Sequence, residues 1–304
     1  MKNLSVTIII VTYERGDDLR LLLENLKDQI NYENIIQEII IINNGTERTY
    51  LWMNDFIQNE KTLKIKYLVL DKNLGVSKGR KLGIEKANSE ILVFIDDDAI
   101  FENKDALKNV LLFMNNSENK IGALAFKIFH FDNKKIQKNA FPHKKYRKYK
   151  NVSEFDTSHF IGAGHALNKT AILKAGNYDE DFFYGMEEYE MSYKLINCGY
   201  KIHYTDSVRV LHKESLLGRQ PNRIKDRMLW KNKSILSWKF LPTIYFISTS
   251  ILWSFKYLIN NKTDIKGYIL TWLDIFKSIR HRNKNKLNIN AIKYLRGVEA
   301  RFWY

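Results

Sequence analysis

Apolar positions along this chain fall into two alternating patterns. Val6–Val11, Ile39–Ile42, Ile65–Leu70 and Ile91–Ile95 are short apolar-rich runs dominated by β-branched residues. Such runs mark strands buried on both faces of a parallel sheet. Between them, Leu19, Leu22, Leu23 and Leu26 keep helical spacing, and Tyr50–Ile57 and Val76–Ala87 read as further helices. The βαβ alternation predicts an α/β domain with a doubly wound parallel sheet and right-handed crossovers. Strand-like stretches at Gly122–Ile128 and Ile202–Val210, a helix beginning near Lys104 and another at Glu187–Cys198 extend it. Lys134–Lys150 carries eight Lys or Arg residues and one proline, which reads as an exposed, mobile loop.

Polar residues gather where the strands end. The first run gives way to Thr12-Tyr13-Glu14-Arg15, the second to Asn43-Asn44-Gly45-Thr46, the third to Asp71-Lys72-Asn73-Leu74-Gly75, and the fourth to Asp96-Asp97-Asp98. Each loop alone is ordinary turn chemistry. Together, at the carboxyl ends of successive strands, they describe a polar crevice able to hold a nucleotide. Three adjacent carboxylates repel one another unless a cation or donors compensate them. An Asp-x-Asp spacing suits Mg²⁺ or Mn²⁺, which take carboxylate oxygens and bridge to phosphates. The competing reading is that the acids cap the helix near Lys104.

Composition changes the picture in the last third. The chain has 304 residues and a net charge of +15. Residues 1–212 contribute only +1, whereas residues 213–304 hold 19 Lys or Arg against 5 Asp or Glu, a net of +14. We set a boundary there, between a domain over 1–214 and a basic, aromatic helical extension over 215–304. Within the extension, Phe240–Phe255 is sixteen uncharged residues bracketed by Lys239 and Lys256, short of the roughly 20 needed to span a bilayer. Trp230, Trp238, Trp253 and Trp272 and the basic cluster Lys277–Lys286 suit docking on an anionic membrane surface. The alternative is an extension packed on the catalytic domain or in a homo-oligomer. No nucleic-acid motif accompanies the charge, so nucleic acid is not expected as a partner. One cysteine, Cys198, excludes an intramolecular disulfide framework and fits a reducing compartment. The opening Met1-Lys2-Asn3-Leu4-Ser5 shows no signal-peptide pattern. The expected location is cytoplasmic, peripheral on the inner membrane face.

These blocks, in this order, resemble an inverting family 2 glycosyltransferase of the GT-A fold, a Rossmann-like nucleotide-diphospho-sugar transferase. Thr12-Tyr13-Glu14-Arg15 resembles the family's opening Thr-Tyr-Asn-Arg, and Asn43-Asn44-Gly45-Thr46 its Asp-Asn-Gly-Ser loop. Asn73-Leu74-Gly75 through Arg80 to Gly83 resembles its Asn-x-Gly…Arg-Asn-x-Gly segment, and Asp96-Asp97-Asp98 its DXD motif. Phe160-Ile161-Gly162-Ala163-Gly164, Gly176 to Phe183 and Glu187-Glu188-Tyr189-Glu190 follow its acceptor-side block. The resemblance runs from about residue 5 to 213 and implies a catalytic domain over 1–214, with a donor half of about 1–100 and an acceptor half of about 101–214.

The resemblance implies donor-binding roles for Thr12, Tyr13, Glu14, Arg15, Asn43, Asn44, Asn73, Gly75, Arg80, Asp96 and Asp97. Gly162, Ala163, Gly164 and Glu187 would lie on the acceptor side. Asp98 and Asp96 would hold the divalent cation, with His212 a candidate third ligand, and Glu188 (alternatively Glu187) would be the catalytic base. The implied reaction moves a sugar from a UDP- or dTDP-linked donor to a hydroxyl on a glycan, lipid-linked or protein acceptor, in cell-surface polysaccharide or glycoconjugate synthesis. Metal and Arg80 would stabilise the leaving diphosphate, and one carboxylate would deprotonate the acceptor in a single inverting displacement. The chain departs from the family pattern at Asn43 (usually aspartate), Lys81 (usually asparagine) and Glu188 (usually aspartate), whose carboxylate reaches about 1 Å further. The alternatives are a nucleotidyltransferase and a degenerate sugar-nucleotide-binding module without catalysis.

Overall fold

The β-branched runs become the first half of a mixed sheet in the computed structural model, which describes residues 5–45, 47–115, 119–218 and 220–302. Thr46 and Met1–Leu4 lie outside the described residues. The first half contains β1 (Val6–Thr12), α1 (Gly16–Lys27), α2 (Tyr32–Ile35), β2 (Ile36–Asn43), α3 (Met53–Asn59), β3 (Ile65–Val69), α4 (Val76–Lys86) and β4 (Ile91–Ile95). β1 pairs in parallel with β2 and β4, and β2 with β3. Ile8 and Ile10 enter one core while Ile9 enters the other, and Val93 and Phe94 divide in the same way. Both faces of these strands are buried, as a run without polar alternation requires. Leu19, Leu22, Leu23 and Leu26 of α1 are fully buried against the first of these cores. On the other face, α4 lies close to β1 because two of its residues lack side chains. A Cβ at Gly79 or Gly83 would come within 2.8 Å of Val11 or 2.4 Å of Ile9.

The second half departs from the doubly wound expectation. It contains β5 (Ala99–Phe101), α5 (Ala106–Met114), β6 (Ile121–His130), α6 (Tyr146–Tyr149), β7 (Glu154–Thr157), β8 (Gly164–Asn168), α7 (Lys169–Ala175), α8 (Glu187–Asn197) and β9 (Lys201–His212). The strand order is β3-β2-β1-β4-β8-β6-β9-β5, with β7 also on β9. β8 runs antiparallel to β4 and β6, and β9 runs antiparallel to β5 and β7. The sheet is mixed, because β8 inserts between β4 and β6 with reversed direction. The Lys134–Lys150 stretch is a correction too. Its centre, Ala140 to His143, is buried, and Phe141 packs edge-on against Tyr146 and Tyr204. The basic residues flank an aromatic anchor.

The extension forms α9 (Asn222–Phe240), α10 (Thr243–Asn260), α11 (Ile265–Arg280) and α12 (Ile289–Gly297). Phe240–Phe255 is not one segment: Phe240 ends α9, and Pro242 caps α10. Ile235, Leu236 and Phe240 of α9 and Ala291 and Leu295 of α12 share the core that holds Phe94 and Phe182. Ion pairs reinforce this packing. Lys239 reaches Asp179 at 3.1 Å and Glu190 at 2.6 Å, and Arg282 pairs with Asp179 and Asp181. Parts of the extension are integral to the catalytic unit, with no gap in packing at residue 215.

Candidate active site

Strand register assembles the acidic cluster. β4 delivers Asp96, Asp97 and Asp98 at its carboxyl end, and β5 begins at once. Ala99 pairs with His212 across the β5–β9 ladder, so His212 stands beside Asp98, its Nε2 3.4 Å from Asp98 Oδ1. Asp96, Asp98 and His212 present ligand atoms that all lie within 4.8 Å of one another. The three aspartates face different surroundings. Asp97 is turned into the protein, accepting from Thr12 Oγ1 at 2.7 Å and from Arg15 Nη1 at 2.8 Å. Burial pushes its pKa up to about 7, helped by the charge of Asp98 and opposed by Arg15. Asp98 is the reverse case. Burial works against its charge, but His212, Arg15 and the Ser215 N–H prevail and hold it below the usual carboxylate range. For His212 burial acts downward, and Asp98 outweighs it.

Asp98 Oδ2 accepts from Ser215 N at 2.8 Å, whereas Oδ1 is buried with no hydrogen-bond partner. An orphaned carboxylate oxygen beside an imidazole and a second carboxylate fits a divalent cation with oxygen and nitrogen ligands.

A cavity of about 310 Å³ opens over this cluster. Of the expected donor residues it is lined by Thr12, Tyr13, Arg15, Asn44, Asn73, Gly75, Asp96 and Asp97. Glu14, Asn43 and Arg80 are not in its wall. Asn43 is engaged locally, donating to Tyr67 Oη at 2.7 Å and accepting from Gly45 N at 2.7 Å. Asn44 instead ties two loops together, its amide donating to the Gly75 carbonyl at 3.0 Å. Gly75 has φ +84°, and a Cβ there would meet the Phe183 carbonyl at 2.6 Å. Sequence reasoning missed Gln137, Asn139, Phe183, Tyr184, Gly218, Gln220 and Lys225 as parts of this wall. Gly218, Gln220 and Lys225 come from the supposed extension, whose residues 215 and 217 also accept from Arg15. Phe183 lies in the acceptor-side block and could have been singled out as a large apolar residue in a polar loop. It also lines a second cavity of about 330 Å³, between α9 and α11.

Arg80 links Asp96 to the Gly162 segment and to the two glutamates at the start of α8. Its Nη2 lies 3.4 Å from Asp96 Oδ1 and donates to the Gly162 carbonyl at 3.2 Å. Its Nη1 reaches Glu188 Oε1 at 3.4 Å and Glu187 Oε1 at 3.5 Å. Burial opposes the guanidinium charge, and Tyr178, Glu188, Asp96 and Glu187 outweigh it. The expectation placed Arg80 around the nucleoside and diphosphate. In the structure it is spent on three carboxylates. Gly162, Ala163 and Gly164 adjoin it because β4 pairs with β8, with Ile95 opposite Gly164 and the Asp96 N–H donating to the Ala163 carbonyl.

Glu187 and Glu188 open α8 after two left-handed residues, Gly185 at φ +80° and Met186 at φ +75°. A Cβ at Gly185 would meet Leu229 of α9 at 2.8 Å, so the bend is wedged against that helix. The two glutamates diverge sharply. Glu187 is buried and its Oε2 has no hydrogen-bond partner. Burial, then the charge of Glu188, raise its pKa well above the usual value, against Arg80. The Glu188 side chain stays 17% exposed.

Comparison with known proteins places the family and the fold. Residues 7–176 match the family model described as Glycosyl transferase family 2. An uncharacterized protein of Haemophilus influenzae is 30% identical over 173 residues, 56% of this chain and 91% of that protein. The dTDP-rhamnosyl transferase RfbF of Shigella flexneri is 24% identical over 218 residues, 69% of each chain. Among solved structures, GalNAc-T7 with UDP, GalNAc and Mn²⁺ superimposes with a TM-score of 0.61 at 15% identity. That match covers 92% of this chain but only 56% of GalNAc-T7.

Proposed function

The chain belongs to glycosyl transferase family 2 and is a glycosyltransferase of GT-A fold, and on that premise we propose a metal-dependent, inverting transfer from a nucleoside-diphosphate sugar to a hydroxyl acceptor. The observation that carries this reading is the buried Asp98 Oδ1, which has no hydrogen-bond partner and lies 3.4 Å from His212 Nε2 beside Asp96, with Glu188 held next to Asp96 by the shared Arg80 guanidinium. Asp96, Asp98 and His212 would hold Mn²⁺ or Mg²⁺, which supplies Lewis-acid stabilisation of the leaving diphosphate. Thr12, Tyr13, Asn44, Asn73 and Gly75 would enclose the nucleotide. A UDP- or dTDP-linked donor is supported by the names of RfbF and of the UDP complex of GalNAc-T7.

Glu188 is the base in this reading. Two adjacent carboxyl groups in different environments divide into one that keeps its proton and one that accepts one. The buried Glu187 is the former, and the accessible Glu188 removes the acceptor proton as its oxygen attacks the anomeric carbon. One base on the acceptor side suffices for a single displacement with inversion. Arg80 acts indirectly, fixing Glu188 and Asp96 relative to each other. A role in cell-surface polysaccharide or glycoconjugate synthesis, at the cytoplasmic face of the inner membrane, completes the reading.

The test is to screen nucleoside-diphosphate sugars with Mn²⁺ for release of nucleoside diphosphate, alongside Asp98→Asn. The expected result is donor turnover that EDTA abolishes and Asp98→Asn lacks. Full turnover in EDTA would overturn the metal assignment, and pyrophosphate chemistry on a nucleoside triphosphate would overturn the transfer reaction.

A further inference from the structure

Helices α10 and α11 are built inside out. On α10 the residues turned into the fold are Thr249, Ser250, Ser254 and Tyr257. Outward stand Ile244, Ile247, Ile251, Leu252, Phe255 and Ile259, between 43% and 70% exposed. Positions 244, 247, 251, 255 and 259 follow the helical repeat and form one stripe. α11 repeats the arrangement, with Gly267, Thr271 and Ile275 inward and Ile265, Ile269, Leu273 and Phe276 outward. A helix on the surface of a water-soluble domain does the opposite.

The inward faces carry hydrogen bonds to backbone carbonyls, although the buried Ser250 hydroxyl has no partner of its own. Trp230 of α9 donates to the Ser250 carbonyl at 3.0 Å, Ser254 Oγ donates to the Ile251 carbonyl, and Thr271 Oγ1 donates to the Gly267 carbonyl. Small and hydroxyl-bearing residues between helices, with large aliphatic residues outward, are what a hydrocarbon solvent selects. Small residues let helix backbones approach, and aliphatic side chains gain nothing by leaving lipid. The charge around the face discriminates between occupants. Lys256, Lys262, Lys266, Lys277 and Arg280 are all exposed on or between these helices. Asp264, one of two acids in the same stretch, is committed to capping α11. A second copy of the chain would bring two +14 segments together, whereas an anionic leaflet complements them. No helix among the described residues is long and apolar enough to cross a membrane.

We propose that the outward face of α10 and α11 is a monotopic anchor seated in the interfacial layer of an anionic phospholipid leaflet. It lies in the plane of the surface, with aliphatic residues among the upper acyl chains and lysines at the headgroups. The cavity that Phe183 shares with the donor pocket is lined at its other side by Thr271 and Asp274 of α11, so the anchor presents the reaction site to substrates held at the lipid surface.

The proposal is tested with the full chain by vesicle sedimentation, which does not depend on turnover; a failure here leaves the transfer reaction standing. Wild type is compared with Ile251→Glu/Phe255→Glu and with Ile269→Glu/Leu273→Glu on phosphatidylcholine vesicles with and without about one-third phosphatidylglycerol. Thermal melting of each variant checks the fold, which exposed substitutions should leave intact. Wild type should bind the anionic vesicles, keep a measurable remainder at high salt, and lose at least about tenfold in bound fraction in each variant. Vesicle binding unchanged in both variants would overturn the proposal. So would a wild-type dimer that the same variants convert to monomer while no form binds vesicles, because the face would then join two copies.

Discussion

Glu188 stands directly against Gly162: a Cβ at position 162 would lie 2.3 Å from Glu188 Oε1 and 3.1 Å from Arg80 Nη2. The missing side chain at 162 leaves the space that the Glu188 carboxylate and its guanidinium partner occupy. Gly162→Ala must push the carboxylate aside while leaving the Asp98 cluster untouched. Turnover should fall about 100-fold, with nucleoside-diphosphate affinity in Mn²⁺ changed less than about threefold. Calorimetric titration beside a product-release assay separates the two quantities. A parallel loss of both would mean that position 162 serves donor binding.

The division of labour between the two glutamates is tested by paired amides. Glu188→Gln keeps the shape and removes the proton acceptor, so transfer should drop by roughly 100-fold or more with donor binding intact. Glu187→Gln, which resembles the protonated form, should retain most of its turnover. The reverse outcome assigns the base to Glu187.

Glu187 also predicts a pH dependence of stability. Its folded pKa is raised above the usual 4.5, so the native state binds more protons than the unfolded chain over the interval between the two values. The contribution is fully present below 4.5 and is lost as pH rises through the folded value. Glu187→Gln should match wild type near pH 4 and exceed it at pH 7 to 8, read as the urea midpoint at about five pH values. A constant difference across the series would refute a titrating Glu187.

Arg80 is buried among three carboxylates, so removing its charge is predicted to harm the fold as well as the reaction. Arg80→Met should lower unfolding free energy by about 3–5 kcal/mol at neutral pH. Arg80→Lys restores one charge but not the fork that spans Glu188 and Asp96. It should recover stability further than activity, as equilibrium unfolding and product release on the same preparation will show.

Legibility in the sequence tracked how strongly local chemistry marks each feature. Ile91–Ile95 reads as a strand because five apolar residues, mostly β-branched or aromatic, suit no exposed alternative, and the structure gives those bounds. β8 has no such mark: Gly164-His165-Ala166-Leu167-Asn168 holds no β-branched residue, and only its ladders with β4 and β6 make it a strand. Without β8 the reversal of the sheet was invisible. The acidic cluster was visible as a run, yet Asp97 and Asp98 could not be told apart until Thr12, Arg15 and His212 were placed around them. Arg80 was found by resemblance, but its partners lie 82 and 108 residues away at Gly162 and Glu188. In α10 the helical period is plain, while the direction of its apolar face is not, since periodicity records that two faces differ and not which one meets the core.

Asp179 accepts charge from both Lys239 and Arg282, and Arg282 also grips Asp181. These acids belong to the same short loop as Phe183, which lines the cavity over the acidic cluster. The boundary that composition draws at residue 215 is consequently not a seam along which relatives could exchange parts. A chimera joined there would leave the loop's carboxylates facing foreign partners and would expose Met186 and Phe182, which share a core with Ile235 and Phe240. Residues 177–186 and the helical tail pack as a single unit, and substitutions in one constrain what the other tolerates.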